Sequence, residues 1–375
     1  MKLAIFGTKD EAVYLMRQIE LNNICDILVF VDNNKNKQGK YIGKYPIVSF
    51  EKLESLYGKD VDTIIIAARG SYSRLSILHQ LKSKNINNVG LLRISYSDYR
   101  KEIKNFQETI VWIEETKLPI MPYVEYNIVD SCNLKCKGCT HFANLCGDKK
   151  TSSYDTFCQD LIQVSKKAYV VQLRLLGGEP LLHPDLNLFV DKAREILPKA
   201  DISIVTNGLL INKVSKELFY SMRKNNVGFY ISRYIPTDGR IEKIINILEE
   251  ENVDYFIEKD VIKEFGKSLD MKGTSNTQKA QKACISLGCR FLRNGRLYKC
   301  PFEGLIDIFA DFYEYKNIPL IRGYDIYDGN IDWGKKLDEL FYYPVEMCKY
   351  CAEKCEIFTW KVEANPKKED WIVSN

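Results

Sequence analysis

Nine of the chain's twelve cysteines fall into two groups. Three stand close together as Cys132, Cys136 and Cys139; six lie further on as Cys284, Cys289, Cys300, Cys348, Cys351 and Cys355, leaving Cys25, Cys146 and Cys158 apart. A chain of 375 residues can bury its own core over two or three domains and needs no covalent staples. The apolar run in Met1–Gly7 is too short for a secretory signal, and no run approaches the roughly 18 apolar residues of a membrane helix. A cytoplasmic location without membrane attachment is expected. There thiols stay reduced, so clustered cysteines read as metal ligands or catalytic groups. With His79, His141 and His183 the only histidines, sulfur must carry most of any metal binding. Lys plus Arg is 54 against 50 Asp plus Glu, a net charge of +4, which argues against a dedicated nucleic-acid binder.

Short apolar strands alternate with helical patterns, which means an α/β chain. Leu3–Phe6, Ile27–Val31, Val61–Ala68 and Val89–Leu92 read as strands, and Glu11–Glu20 and Ser76–Lys84 as helices, giving a doubly wound sheet. A connecting helix is expected over Tyr99–Glu115. Gly7-Thr8-Lys9-Asp10-Glu11-Ala12 is half a dinucleotide fingerprint, with Lys9 where the second glycine belongs and Asp32 where a ribose hydroxyl would be held. Two readings stay open: a turn glycine with a strand-ending aspartate, or a nucleotide phosphate on Lys9. Phe30-Val31-Asp32-Asn33-Asn34 resembles the small Rossmann-like domain that opens some bacterial sugar-modifying transferases. A second α/β unit has strands at Tyr123–Val129, Val170–Leu176, Ile202–Val205 and Gly228–Ile231 and a helix at Leu186–Leu197. Ser268–Lys282 is polar and reads as a linker or mobile loop, and the cysteine-rich region beyond as irregular.

Cys132-x3-Cys136-x2-Cys139 can place three thiolates on one cubane iron–sulfur cluster and leave its fourth iron open to a small molecule. Structural zinc prefers four protein ligands. The loop resembles the signature of radical S-adenosylmethionine (SAM) enzymes, whose three cysteines hold a [4Fe–4S] cluster with SAM on the open iron. Gly177-Gly178-Glu179-Pro180, at the end of a strand, resembles that family's motif for the SAM amino group. Thr206-Asn207-Gly208 and Ser232-Arg233 end later strands, where the resemblance implies further SAM contacts. The residue before the last cysteine is often aromatic in the family and packs near the adenine; here it is Gly138, and His141-Phe142 are candidates to replace it. The resemblance covers about residues 123–235 and implies a partial (β/α)6 radical SAM barrel.

Cys284, Cys289 and Cys300 with Gly295, then Cys348-x2-Cys351-x3-Cys355, resemble the auxiliary-cluster domains called SPASM or, when shortened, twitch. Six cysteines fall short of the eight that two fully ligated cubanes would need, so one auxiliary [4Fe–4S] cluster is expected. Cys284, Cys300, Cys348 and Cys351 match best; Cys289 and Cys355 are alternates. A four-cysteine zinc site has the same spacing. An unligated thiol could instead donate hydrogen to a substrate radical, with Cys146, Cys289 and Cys355 the candidates and Cys158 a weaker one. Three domains are expected: 1–112 Rossmann-like, 113–270 the radical SAM core, and 271–375 the auxiliary-cluster domain.

The resemblance implies an electron from an external donor such as flavodoxin or ferredoxin, SAM cleavage to a 5′-deoxyadenosyl radical, and hydrogen abstraction from substrate. An auxiliary cluster that took an electron would give dehydrogenation, and a thiol that returned hydrogen would give epimerisation. The first domain favours a carbohydrate or nucleotide-linked sugar. Alternatives are a maturase of a ribosomal peptide, an activase forming a glycyl radical on a partner protein, or a non-enzymatic zinc-binding protein.

Overall fold

A computed structural model describes residues 1–68, 70–93, 106–147, 151–316 and 322–374. The chain divides into two units, Met1–Pro122 and Tyr123–Asn375.

In the first unit seven strands form one sheet in the order Tyr41–Ile42, Tyr45–Val48, Asp26–Val31, Lys2–Phe6, Thr63–Ile66, Val89–Leu92, Ile110–Trp112. The pairs from Tyr45–Val48 to Val89–Leu92 are parallel, and both edge strands are antiparallel. The helix Asp10–Leu21 buries Ala12, Leu15, Met16 and Ile19 against a core containing Ile5, Phe30 and Ile65. The helix read as Ser76–Lys84 spans Ser71–Lys82. Of the connecting helix expected over Tyr99–Glu115, residues 99–105 lie outside the described residues. The rest is a short helix Phe106–Thr109, the edge strand and a single turn Ile113–Glu115, because the β-branched Ile110 and Val111 complete the sheet. Chain order reverses beside Lys2–Phe6, and Gly7 follows at φ +125°. A Cβ there would stand 2.5 Å from the Ala67 carbonyl oxygen, so the two strand ends meet only over a glycine. Asp32 is engaged by the Thr8 hydroxyl and by Lys37 Nζ at 2.9 Å, which also donates to Thr8.

The second unit is built on an eight-stranded sheet: Tyr255–Ile257, Gly228–Ile231, Asp201–Thr206, Gln172–Gly177, Val124–Val129, Phe291–Arg293, Arg296–Tyr298, Tyr324–Asp325. The first six are mutually parallel, and the sheet stays open. The expected six parallel strands are thus present, but the sixth comes from beyond residue 271. The helices Tyr154–Lys167 and Leu186–Ile196 cover one face, where Phe157 packs on Tyr126 and on Phe189, each at 4.8 Å between ring centroids. Side chains alternate along a strand, so the buried polar Glu125, Asn127, Arg174 and Ser203 take the opposite face.

The segment 268–282 is not a loop throughout. Ser268 and Leu269 end the strand Glu264–Leu269, which pairs antiparallel with Cys351–Thr359, and Asn276 caps the helix Thr277–Lys282 by accepting from the Gln278 and Lys279 amides. Nor is the cysteine-rich region irregular. It contains the helices Pro301–Tyr313 and Trp333–Tyr342 and shares an apolar cluster of Phe142, Phe291, Phe302, Phe309 and Trp371.

Candidate active site

One cavity gathers the first cysteine group and three strand ends. It is lined by Cys132, Cys136 and Cys139, by Thr140 and His141, by Gly177-Gly178 and Thr206-Asn207, and by Ser232, Tyr234 and Phe265. This is the carboxyl end of a parallel sheet, where α/β folds place ligands.

The two glycines are dictated by packing. A Cβ on Gly177 would stand 2.2 Å from the Val129 carbonyl oxygen, and one on Gly178 2.2 Å from that of Ser131. They let the second strand end close on the segment that leads into Cys132, and the Gly178 amide donates to Val129 at 2.7 Å. Glu179 follows, 0% exposed and outside the cavity lining. Its Oε1 accepts from Thr206 Oγ1 at 2.7 Å and the Leu181 amide at 3.1 Å, and its Oε2 from the Asn207 amide at 2.9 Å. Burial raises this carboxyl to about 7 even against those hydrogen bonds. Asn207 carries the link to the cysteine loop, donating to Asn133 Oδ1 at 2.8 Å and lying 3.7 Å from Cys132 Sγ. Ser232 reaches the cavity, whereas Arg233 turns to Asp238 at 2.7 Å and the Lys259 carbonyl at 2.8 Å and ties down its own loop.

The three sulfurs suit a metal cluster. Burial pushes the Cys132 thiol up to about 12 and raises Cys136 and Cys139, so bare thiolates are disfavoured and a cationic metal group would offset the cost. Backbone N–H groups already point at the sulfurs: Leu134 at 3.4 Å from Cys132, and His141, Phe142 and Ala143 around Cys139. Trp360 packs on Cys136 with its indole nitrogen buried and in no well-aligned hydrogen bond.

The far C-terminal segment clamps this loop, which the sequence did not announce. Cys136 bridges to Val362, the Lys137 amide donates to Lys361 at 2.9 Å, and Lys137 pairs with Asp370 at 3.2 Å. Trp371 Nε1 donates to the Cys139 carbonyl at 2.8 Å. A Cβ on Gly138 would stand 2.7 Å from the Asp370 carbonyl oxygen and 2.9 Å from the Phe358 ring, so the tail occupies the space of a side chain there. Phe142 does not replace that side chain: it is fully buried against Phe302, Phe309 and Trp371.

Residues 126–258 match the radical SAM superfamily, and residues 1–91 match the family described as C2185-like, N-terminal. The chain carries a radical SAM domain. Among curated relatives, the GTP 3',8-cyclase of Thermodesulfovibrio yellowstonii is 30% identical over 100 residues, 26% of this chain and 31% of that protein. The GTP 3',8-cyclase of Limosilactobacillus fermentum is 38% identical over 98 residues, 26% of this chain and 29% of that protein. The chain thus spans about a third of the length of these relatives. Among solved structures, BtrN in complex with AdoMet and 2-DOIA aligns at a TM-score of 0.38 with 15% identity, over 68% of this chain and 100% of that one. The radical SAM family implies a [4Fe–4S] cluster and SAM, and Cys132, Cys136 and Cys139 are the residues that would hold that cluster.

Around the radical SAM domain the second cysteine group is also drawn together. Cys284, Cys300, Cys348 and Cys351 lie close together, with Cys355 beside Cys284 and Cys351, and neighbouring thiols raise each of the four, though burial is the larger cause. Arg290 is 0% exposed beside them, with its guanidinium 3.7 Å from the centre of the Phe341 ring and Nε and Nη2 without partners. A buried cation with orphaned donors fits a site whose occupant is anionic, as a cluster held by four thiolates would be. Among the described residues no three His, Cys, Asp or Glu side chains form a group that could hold a single metal ion. The candidate hydrogen donors separate. Cys289 faces the buried Glu125 and also lies near Cys300. Cys355 lies 3.5 Å from the Ala283 carbonyl and lines a groove with Asp270 and Ile357. Cys146 lies 3.8 Å from the Phe142 carbonyl, outside the lining of the three-cysteine cavity. Among the described residues no helix is long and apolar enough to cross a membrane.

Proposed function

We propose that the chain is a radical SAM oxidoreductase or epimerase that removes hydrogen from a carbohydrate or nucleotide-linked sugar. The observation that carries the reading is the convergence of three thiols of one short loop with the Gly177-Gly178 and Thr206-Asn207 strand ends on a single cavity. The bound group supplies reductive cleavage of SAM and hence a hydrogen-abstracting radical. The protein supplies the rest. The cysteine loop and its tail clamp hold three ligands in place. Glu179 fixes the Thr206-Asn207 turn, and Leu176, Val205 and Phe265 line the cavity with apolar surface that limits water.

Cys284, Cys300, Cys348 and Cys351 are the proposed ligands of an auxiliary [4Fe–4S] cluster, which would supply an electron acceptor suited to a dehydrogenation. Cys289, set beside Glu125 at the edge of this group, is the candidate donor if the outcome is epimerisation. An external donor such as flavodoxin or ferredoxin provides the electron, and the cytoplasm provides the reducing setting. The proposed domains remain the Rossmann-like 1–112, the core 113–270 and the auxiliary region 271–375.

Anaerobic reconstitution with iron and sulfide, followed by SAM and dithionite, tests the reading. A brown protein that forms 5′-deoxyadenosine faster with sugar nucleotides supports it. A colourless protein with stoichiometric zinc and no sulfide refutes it, and turnover only with a leader-bearing peptide refutes the sugar assignment.

A further inference from the structure

The first unit holds a cavity of its own. It measures about 280 Å³ and lies at the carboxyl ends of Lys2–Phe6, Asp26–Val31 and Thr63–Ile66, where the chain order of the sheet reverses. Open parallel sheets place ligands in such a crevice. A dinucleotide does not suit this one. The carboxylate that would hold a ribose diol is already committed: Asp32 Oδ2 accepts from the Thr8 hydroxyl and from Lys37 Nζ at 2.9 Å, and Oδ1 from the Asn34 amide at 2.9 Å. Lys9 stands where a glycine would let a pyrophosphate approach the backbone. The volume also falls just below the roughly 300–1,000 Å³ of ordinary small-molecule sites, which suits one nucleotide better than two.

The charges that line the cavity favour an anion. Among the described residues they are Lys9, Lys37 and Asp32, a net positive balance. An ammonium has three donors; Lys37 spends one on Thr8 at 2.8 Å and one on Asp32, which leaves one. The helix Ser71–Lys82 begins at Gly70 on the cavity wall with no acidic residue in its first turn, so its positive end adds to the same field. Ala68, Tyr72 and Ile77 give the lining an apolar part. A molecule with one anionic group and one flat apolar group matches both. We propose that the first unit binds a nucleoside phosphate of one base, its phosphate toward Lys9 and Lys37 and its base against Ala68, Tyr72 and Ile77. The site does not rest on the radical SAM reading.

Isothermal titration calorimetry on the full chain tests this, with AMP, GMP, UMP, UDP-glucose, the parent nucleosides, inorganic phosphate and NAD as probes. At least one nucleotide is expected to bind, and its nucleoside and inorganic phosphate at least about tenfold more weakly, the scale of a charged hydrogen bond. Lys9→Ala and Lys37→Gln are each expected to weaken that nucleotide by about tenfold. Ser76→Phe, whose ring takes up the cavity, is expected to abolish binding. Lys9 is exposed, so its variant keeps the fold, and thermal unfolding checks the other two. UDP-glucose binding more tightly than UMP supports the proposal with a nucleotide-linked sugar as the source; equal binding supports it with the free nucleotide. No nucleotide binding overturns it, as does NAD binding more tightly than every nucleotide or phosphate binding as tightly as the best one. Unchanged affinity in folded Lys9→Ala and Ser76→Phe also overturns it, because the nucleotide would then sit elsewhere in the chain.

Discussion

Glu179 is a buried carboxyl held by three donors, and its titration should be visible in stability. In the unfolded chain it titrates near its ordinary 4.5; in the fold, burial carries it to about 7. Between those values the folded state binds the proton more readily than the unfolded state does. Stability therefore falls as pH rises through that window, by about 3 kcal/mol in total at 1.36 kcal/mol per pH unit. Glu179→Gln removes the titration. It carries a separate cost of roughly 1–3 kcal/mol at every pH, because an amide NH2 cannot accept from the Asn207 amide while Oε1 serves Thr206 and Leu181. Urea unfolding of cluster-free protein and of the variant, at intervals from pH 4.5 to 8, gives the difference directly. Wild type should lose about 3 kcal/mol relative to the variant as pH rises, so that its lead of roughly 1–3 kcal/mol at low pH is cancelled or reversed. Parallel curves would refute the reasoning and mean that the hydrogen bonds to Glu179 offset its burial, leaving its titration the same in the folded and unfolded chain.

Three further outcomes are expected. Trp371→Phe keeps the ring but deletes the bond to the Cys139 carbonyl, and should cost about 1 kcal/mol and speed iron loss to a chelator. Gly138→Ala must place a Cβ at φ +63° against the Asp370 carbonyl; a loss of about 1–3 kcal/mol in thermal unfolding, with lower iron retention, is expected. Cys351→Ala should remove about four irons per chain and Cys289→Ala none, counted by iron and sulfide assay, since Cys351 faces Cys284, Cys300 and Cys348 as well as Cys355, whereas Cys289 faces Glu125 and has only Cys300 near it.

What was legible in the sequence was local. The cysteine spacing, the glycine pair and the strands that end in them are short-range patterns, and the structure brings those residues to one cavity. Side-chain direction was not legible. Arg233 and Ser232 are neighbours at one strand end, yet only Ser232 lines the cavity, because Asp238 and the Lys259 carbonyl hold the guanidinium elsewhere. That Glu179 braces the Thr206-Asn207 turn was not legible either, because its donors there come from residues that become its neighbours only when two parallel strands align. The tail clamp joins Lys137 to Asp370, and no periodicity reports such a pairing. The one signal for it was Gly138, a glycine where an aromatic residue is common. The helix at Thr277–Lys282 was missed because six residues are too few for a hydrophobic period, although Asn276 was a readable cap.

The bond from Trp371 to Cys139 spans 232 positions. A ribosome adding roughly 5–20 residues per second needs on the order of tens of seconds to cover that distance. For most of that interval the cysteine loop is outside the exit tunnel while the segment that closes over it has not been made. Its thiols are then open both to metal delivery and to oxidants, and synthesis of the Lys361–Trp371 segment ends that exposure. Slow translation between the two segments would lengthen the time for loading, and a premature stop would leave the loop permanently open.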